Sequence, residues 1–488
     1  MTSSGTARRP ALILAALALA QLIIALDYSI VFVALPDIGE GVGFSGQQLQ
    51  WVIGAYAVAF GGFLLLGGRL ADLLGRRRMF LTGLALYAIA SVAGGLATTP
   101  GVLVGARAVQ GIGGALLAPA TLSLLTTTFE EGRERNRALG IWGATGSSGM
   151  VVGSLLGGVL TQAFGWEATF YVNVPLAVGV GLLGLRVLPV DPAVERRQGF
   201  DLPGGISVTA GALLLVFGLV QGPEAGWTDP VTLISFVAAA ALIVAFVVIE
   251  SRTADPLVPL KVFSYKSLRL GSMITFMFMA TFGASAYFLT LALQTVRDWN
   301  ALSTGLAFIL PCACVLVGSV IGGKLSTAIG VRGTLVLGLV VGAIGTALFA
   351  AFLGDGSTYA QMTPGIIVFS LAQGVIWTAM FSAATAGVEE ELQGLASGLA
   401  TSGQQVGAAV GLAVLVAVSN AAAGSDLTPA GLSDGLQAAT YTSAVLILLT
   451  VGLALALNKQ PRAAQAEPPA QSVADALPAE PAVQTEKV

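Results

Sequence analysis

Apolar residues in this chain gather into long blocks and rarely alternate with polar ones. The blocks run for about 20 residues, the length at which an α-helix crosses the hydrocarbon of a bilayer. Windows of that size predict helices near 11–35, 50–68, 79–98, 102–126, 138–163, 169–188, 204–221, 231–250, 267–293, 302–326, 333–353, 363–386, 395–420 and 436–457. The expectation is an all-α integral membrane protein with fourteen transmembrane helices. Arg8-Arg9 ahead of an apolar run and Ala18-Leu19-Ala20 within it have the look of a signal peptide. The run continues to Leu35, so an uncleaved first span is the reading adopted.

Composition agrees. Hydrophobic residues make up 55% of the chain and charged residues only 10%. A soluble globular chain carries about 25% charged residues, so this one has too few to cover a water-exposed surface. Charge also gives the orientation. If fourteen spans put both termini on one side, all of the 23 Lys and Arg except Arg107 and Arg297 fall on that side. Basic residues mark the cytoplasmic face, so both termini and the loop Gly67-Gly68-Arg69-Leu70-Ala71-Asp72-Leu73-Leu74-Gly75-Arg76-Arg77-Arg78 are expected there.

The chain repeats itself. Gly322-Gly323-Lys324-Leu325, with Gly330 and Arg332, echoes that loop at an offset of 255. Gly403, Gly407 and Gly411 repeat Gly149, Gly153 and Gly157 at an offset of 254. Two six-helix bundles in the same orientation, separated by two extra helices, account for both offsets, and parallel repeats of this kind are a plan used by transporters. The predicted organisation is a cytoplasmic segment 1–10, a first bundle 11–188, a linker with two additional helices 189–266, a second bundle 267–457 and a disordered cytoplasmic tail 458–488.

Candidate chemistry is sparse. Phosphate loops, zinc spacings and nucleophile triads are absent, so neither an enzyme nor an ATP-driven pump is expected, and no cofactor, metal or nucleic-acid partner. Cys312 and Cys314 stand two apart in an apolar run and read as core residues. The chain has no histidine, which leaves carboxylates as proton carriers. Asp27 and Arg107 are the ionisable residues placed well within spans, where each costs about 2.5–3.5 kcal/mol to insert. Counted from Leu35 and Pro100, they lie about 12 and 10 Å below the same face at 1.5 Å per residue. A pair is therefore possible, either as a proton switch or as a static tie between helices. Gln110 and Gly111 share the face of Arg107, and with Gln373, Gln404 and Gln405 they are candidates for lining a polar cavity. Phe276, Met277, Phe278, Met279, Phe282 and Tyr287 are candidates for an adaptable apolar pocket. Gly140, Gly143, Gly146, Gly149, Gly153 and Gly157 recur every three or four residues on the fifth helix, with Gly158 beside them. Such a stripe lets another backbone approach closely, either as a gating interface or as close packing with no gating role.

These motifs resemble those of the major facilitator superfamily, in particular the fourteen-helix drug:proton antiporters. The similarity covers essentially 11–457. Gly68, Leu70, Asp72, Gly75, Arg76, Arg77 and Arg78 fit the signature G-x-L-x-D-[RK]-x-G-R-[RK]-[RK], with Leu73 in place of its first base. The stretch from Leu26 to Pro36 resembles the first-helix motif, and Arg107 with Gln110, Gly111, Gly113 and Gly114 the fourth-helix motif. In the fifth-helix antiporter motif Ser154 stands where proline is expected. The resemblance implies export of amphipathic small molecules, drugs or antibiotics, in exchange for protons. It also implies alternating access by a monomer in a bacterial inner membrane, with the basic loop as a conformational switch. A proton-coupled uptake symporter of the same fold is the alternative; a membrane-embedded enzyme or receptor fits less well.

Overall fold

A computed structural model describes residues 4–45, 48–129, 133–191, 201–253, 256, 258–354, 356–389, 392–424 and 428–458. They form helices, turns and short connections, with no strand among them. The proposed tail, apart from residue 458, and 192–200 of the linker lie outside the described residues.

The helices are α1 (Ser4–Val42), α2 (Trp51–Leu74), α3 (Arg76–Gly95), α4 (Pro100–Thr128), α5 (Arg133–Phe164), α6 (Ala168–Tyr171), α7 (Asn173–Val187), α8 (Leu202–Ala225) and α9 (Pro230–Arg252). After them come α10 (Lys266–Thr281), α11 (Ser285–Gln294), α12 (Ala301–Ala307), α13 (Ile309–Ala351), α14 (Tyr359–Thr385), α15 (Gln393–Ala423) and α16 (Pro429–Ala456). Among the described residues, 12 helical segments are long and apolar enough to cross a membrane. α2 stands outside that set as a continuous helix of 24 residues. One segment within it, Ala301–Ala351, is 51 residues long and is broken at Gly330, where φ is 79° and ψ 160°.

Local chemistry sets many boundaries. Asp229 accepts hydrogen bonds from the backbone N–H groups of Val231 and Thr232 and is followed by Pro230, an N-cap and N1 pair that starts α9. Thr428 and Pro429 do the same for α16. The predicted sixth helix is divided at Val172 into α6 and α7, three residues before Pro175. Proline has no N–H to offer the previous turn, and the helix is interrupted there. The predicted tenth helix is divided at Phe308, again three residues before a proline, Pro311.

The repeat in the sequence becomes a repeat in packing. α1 packs on α5 and α3 on α4 in the first group of helices; α10 packs on α15 and α13 on α14 in the second. Gly75 (φ 105°) turns the chain between α2 and α3, and Gly330 (φ 79°) does so 255 residues later. Both backbones occupy a region that L side chains disfavour, which is the physical reason for glycine at each. α8 packs on α9, on α2 of the first group and on α15 of the second, so it lies along a seam between them. Thr209 of α8 fits against Gly62, and the Phe217 ring lies 6.3 Å from that of Trp51, tilted by 42°.

The largest apolar cluster joins the groups. It combines Leu26 to Leu35 of α1 with Ile274, Phe278 and Phe282 and with Tyr287 to Leu293 of α11. Of the proposed pocket residues, Phe278, Met279, Phe282 and Tyr287 are buried in this cluster. These contacts lie toward the end bearing the 43–50 connection, opposite the turns at Gly75 and Gly330. Gln294 Nε2 donates to the Val33 carbonyl at 2.8 Å across this seam. Arg297, the exception to the charge segregation, sits at the same end and donates to the carbonyls of Ala292, Gly354 and Ser357. It binds one connecting loop to another, which accounts for a cation on that side.

Candidate functional site

The charges read as a possible pair do meet. Arg107 Nη1 lies 2.6 Å from Asp27 Oδ2, and both side chains are buried, at 1% and 0% exposure. Burying two ions costs several kcal/mol each unless their remaining polar atoms are satisfied, and here a shell supplies partners. Arg107 Nε donates to the Val52 carbonyl at 2.8 Å, and Nη1 also reaches Gln110 Oε1 at 3.0 Å. The guanidinium carbon stands 4.5 Å from the centre of the Tyr56 ring, a cation–π contact. Asp27 Oδ1 accepts from Asn173 Nδ2 at 2.7 Å and from Gln110 Nε2 at 3.3 Å. Gln110 Nε2 donates also to Ser91 Oγ, and Ser91 in turn to the Tyr87 carbonyl. The Tyr87 hydroxyl donates to that of Tyr56. Five helices of the first group thus converge on one carboxylate–guanidinium pair.

Sequence reasoning missed Asn173, Ser91, Tyr56 and Tyr87. One signal was available for Asn173. It is an amide two residues before Pro175, at a place where the helix must break and a carbonyl needs a donor. Asn173 Nδ2 also lies 3.4 Å from the Thr169 carbonyl.

Other candidates fall elsewhere. Gln110 is wholly enclosed in the ion-pair shell, and a methyl at Gly111 would meet the Tyr56 carbonyl at 2.5 Å, so this position is filled by α2. Gln404 and Gln405 are buried on α15, with Gln405 against Gly61 of α2; Gln373 is half-buried on α14. The structure does not bring these three to Asp27.

The glycine stripe is resolved into two faces. A Cβ at Gly146, Gly149, Gly153 or Gly157 would meet Gln21, Ala25 and Leu22, Leu26 and Ser29, or Ile30, so this row seats α5 on α1 inside the first group. Gly407 and Gly411 seat α15 on α10 in the same manner. Gly158 faces away, onto Ala301 and Leu302 of α12, and Gly305 returns the contact onto the Ser154 carbonyl. On α5 the approach to the second group therefore runs through Ser154 and Gly158, against Gly305 of α12. The Ser154 hydroxyl donates to the Met150 carbonyl at 3.0 Å, and serine, unlike proline, keeps a backbone N–H for the α5 ladder.

In the basic loop, Asp72 lies in the last turn of α2, and its side chain is outside the described residues. Gly68 is packed near Pro119. The N-terminus of α3 is capped by a residue far along the chain. Asp191 accepts from the backbone N–H of Arg77 and of Arg78, each at 3.0 Å, while Arg77 Nη2 donates to the Leu185 carbonyl at 2.6 Å. Arg76 is half-buried and Arg78 exposed. Among the described residues no cluster of metal-ligating side chains occurs.

Comparison with known proteins places this geometry. The Major Facilitator Superfamily pattern matches residues 17–412 and 271–478. The puromycin resistance protein pur8 of Streptomyces alboniger is 37% identical over 474 residues, covering 94% of this chain and 93% of its own. The cephamycin export protein CmcT of Amycolatopsis lactamdurans is 36% identical over 480 residues, covering 96% and 98%. In fold, the POT family transporter PepTSo matches with a TM-score of 0.65 at 14% identity, over 92% of this chain and 98% of its own. A helical membrane protein with a repeated bundle, a buried ion pair and relatives of this kind belongs to the major facilitator superfamily of transporters.

Proposed function

We propose that this chain exports amphipathic antibiotics or drugs in exchange for protons, with Asp27 as the proton-carrying group and Arg107 as its switchable partner. The relatives' resistance and export roles support the direction and the class of cargo. One observation carries the coupling. Asp27 sits on α1 six residues before Val33, about 9 Å along the axis, and Val33 accepts the cross-seam hydrogen bond from Gln294. The same helix therefore holds the ion pair and forms the closed seam. Protonating Asp27 removes its attraction to Arg107 and frees α1 to shift, which is the change that opening the seam requires. Among the described residues no cation other than Arg107 touches the carboxylate, so a proton or a cationic cargo is a natural competitor for it.

In this reading the chain is a multi-pass protein of a bacterial inner membrane, both termini cytoplasmic, working as a monomer without nucleic acid. The division into 11–188, 189–266 and 267–457 is kept, and fourteen spans are counted by including α2 and dividing Ala301–Ala351 at Gly330. The seam is closed on the outer side, as in an inward-facing carrier. Gly68, Asp72, Gly75 and Arg76 to Arg78 form the switch loop; Gly146, Gly149, Gly153 and Gly157 hold α1 to α5, with Gly158 at the gate; Gln373, Gln404 and Gln405 line the cargo path.

Ethidium export from efflux-deficient bacteria tests this. Wild type should lower cell ethidium, and a protonophore should abolish the difference. Asp27→Asn should abolish export with normal expression, and Asp27→Glu should keep part of it. Protonophore-sensitive export by Asp27→Asn would place the coupling proton elsewhere, and protonophore-sensitive accumulation in place of export would make the chain an uptake carrier.

A further inference from the structure

Asn173 holds a place that the ion pair alone does not explain. Its side chain is fully buried, and its Nδ2 reaches two acceptors, the Asp27 carboxylate at 2.7 Å and the Thr169 carbonyl at 3.4 Å. Neither neighbour can donate, so chemistry dictates that the NH₂ face them. The opposite atom, Asn173 Oδ1, is buried and has no hydrogen-bond partner among the described residues. Of the side chains bonded to Asp27 among the described residues, Asn173 is the one with such a buried, unpartnered atom, and such an atom calls for an explanation. A purely structural tie to Asp27 would be better served by an amide with both ends satisfied.

We propose that Asn173 is a positioning residue for the proton switch, an amide that answers both protonation states of Asp27. When Asp27 is charged, Asn173 donates to Oδ1 and steadies the carboxylate. When Asp27 takes up a proton on Oδ1, two donors would oppose each other. A half-turn of the amide then brings the idle Oδ1 round to accept the new O–H. The turn releases the Thr169 carbonyl at the α6–α7 break, so the protonation state of α1 is passed to α7. The donor that holds α1 to α7 in one state is replaced by an acceptor in the other.

The titratable and charged groups facing Asp27 are Arg107 on α4, Tyr56 on α2 and Tyr87 on α3, with Tyr28 beside it on α1. Among the described residues α5, α6 and α7 add no ionisable group to that shell. Arg107 remains charged throughout the physiological range, and a tyrosine is neutral there. A shift in the pH response on changing Asn173 therefore reports on Asp27.

This inference rests on the reading of Asp27 as the proton carrier, and a transport-independent measurement separates the two. Infrared titration of the purified full-length chain follows the carboxyl band that appears as a buried acid is protonated, assigned to Asp27 by its loss in Asp27→Asn. A hydrogen bond to the charged form favours that form. Asn173→Leu removes, at similar volume, a partner of both forms whose bond to the charged acid is the stronger, so the band should appear at a pH about half a unit higher than in the unchanged chain, equal to about 0.7 kcal/mol. The amide bands of Asn173, assigned with Asn173→Leu, should change with the same midpoint as the Asp27 band. If Asn173→Leu does not fold, Asn173→Ser carries the same test, because its short hydroxyl bonds to its own helix and leaves Asp27 one donor short. A midpoint within 0.2 units (roughly 0.3 kcal/mol) of the unchanged chain, or amide bands that do not follow Asp27, would overturn the role of Asn173. Retained coupled ethidium export in Asp27→Asn would instead overturn the reading of Asp27, whatever Asn173 does.

Discussion

Gly153 and Gly158 lie five residues apart on α5, yet one methyl group added to each should have opposite consequences. At Gly153 the new Cβ would meet the Leu26 carbonyl at 2.6 Å and the Ser29 hydroxyl, both on α1. That contact lies inside the first group of helices and persists if the groups move as rigid bodies. At Gly158 the new Cβ would meet the Ala301 carbonyl at 2.7 Å and the Leu302 Cα at 3.0 Å, across the seam, and opening the seam removes both neighbours. Overpacking costs about 1–3 kcal/mol, while alanine for glycine in a helix interior gains about 1 kcal/mol. The net loss, up to about 2 kcal/mol where the contact persists, should be felt as lower stability in Gly153→Ala. In Gly158→Ala it can be relieved by populating the open seam, and 1.4 kcal/mol is a tenfold change in the ratio of two states. Spin labels on cysteines at the exposed positions Glu40 and Thr295, with Cys312 and Cys314 replaced, would report the separation at that end of the groups. Gly158→Ala should raise the long-distance population about tenfold and leave the melting temperature nearly unchanged. Gly153→Ala should keep the distance ratio and melt lower by about 2–4 °C per kcal/mol. Equal effects of the two substitutions on the distance ratio would refute the assignment of two faces to α5.

Other outcomes are expected from single contacts. Asp191→Ala removes the cap on the α3 N-terminus and should cost about 1 kcal/mol, read as a lower melting temperature, while Asp191→Asn should recover much of it. Gly75→Ala should destabilise more than Gly330→Ala. Both strain a positive φ, but a Cβ at Gly75 would also strike the Asp191 carboxylate, whereas nothing lies within 4 Å at Gly330. Cysteines placed at Ala225 and at Lys261, each in a background without Cys312 and Cys314, should react with an impermeant thiol reagent from outside and inside respectively. Labelling of both from one side would remove α8 and α9 from the span count.

How much of this was open to sequence reasoning follows from the range of each interaction. Hydrocarbon demands a block of apolar residues, so the helices were visible as composition. A charge in such a block is costly, which singled out Asp27 and Arg107, and simple depth arithmetic brought them level. Gly330 was found through its echo of Gly75, since a repeat preserves the turns its backbone needs. Asn173, Ser91, Tyr56 and Tyr87 were hidden because neutral polar side chains are tolerated on many buried faces. The Asp191 cap was hidden for a different reason. It lies 114 residues from Arg77, and no period or motif links them.

The glycine stripe shows most clearly where periodicity stops being informative. A spacing of three and four says that a backbone comes close, and one did, but the spacing cannot say whose. The expectation of a gating interface joined Gly158 to the row of Gly146, Gly149, Gly153 and Gly157. The structure separates them by about 140° around α5, the angle of five residues at 3.6 per turn. A carrier that rocks needs both kinds of contact: rows that hold helices together within each group and a seam that opens. Here both were written in the same residue on the same helix, and only the partner tells them apart. α1 is packed on α5 through the row and bears Asp27 and Val33, so in the mechanism proposed above a displacement that a proton imposes on α1 carries α5 with it. Gly158 then leaves Ala301 as Val33 leaves Gln294. In the proposed mechanism the opening of the seam is therefore a movement of the α1–α5 pair, driven from Asp27 within the first group.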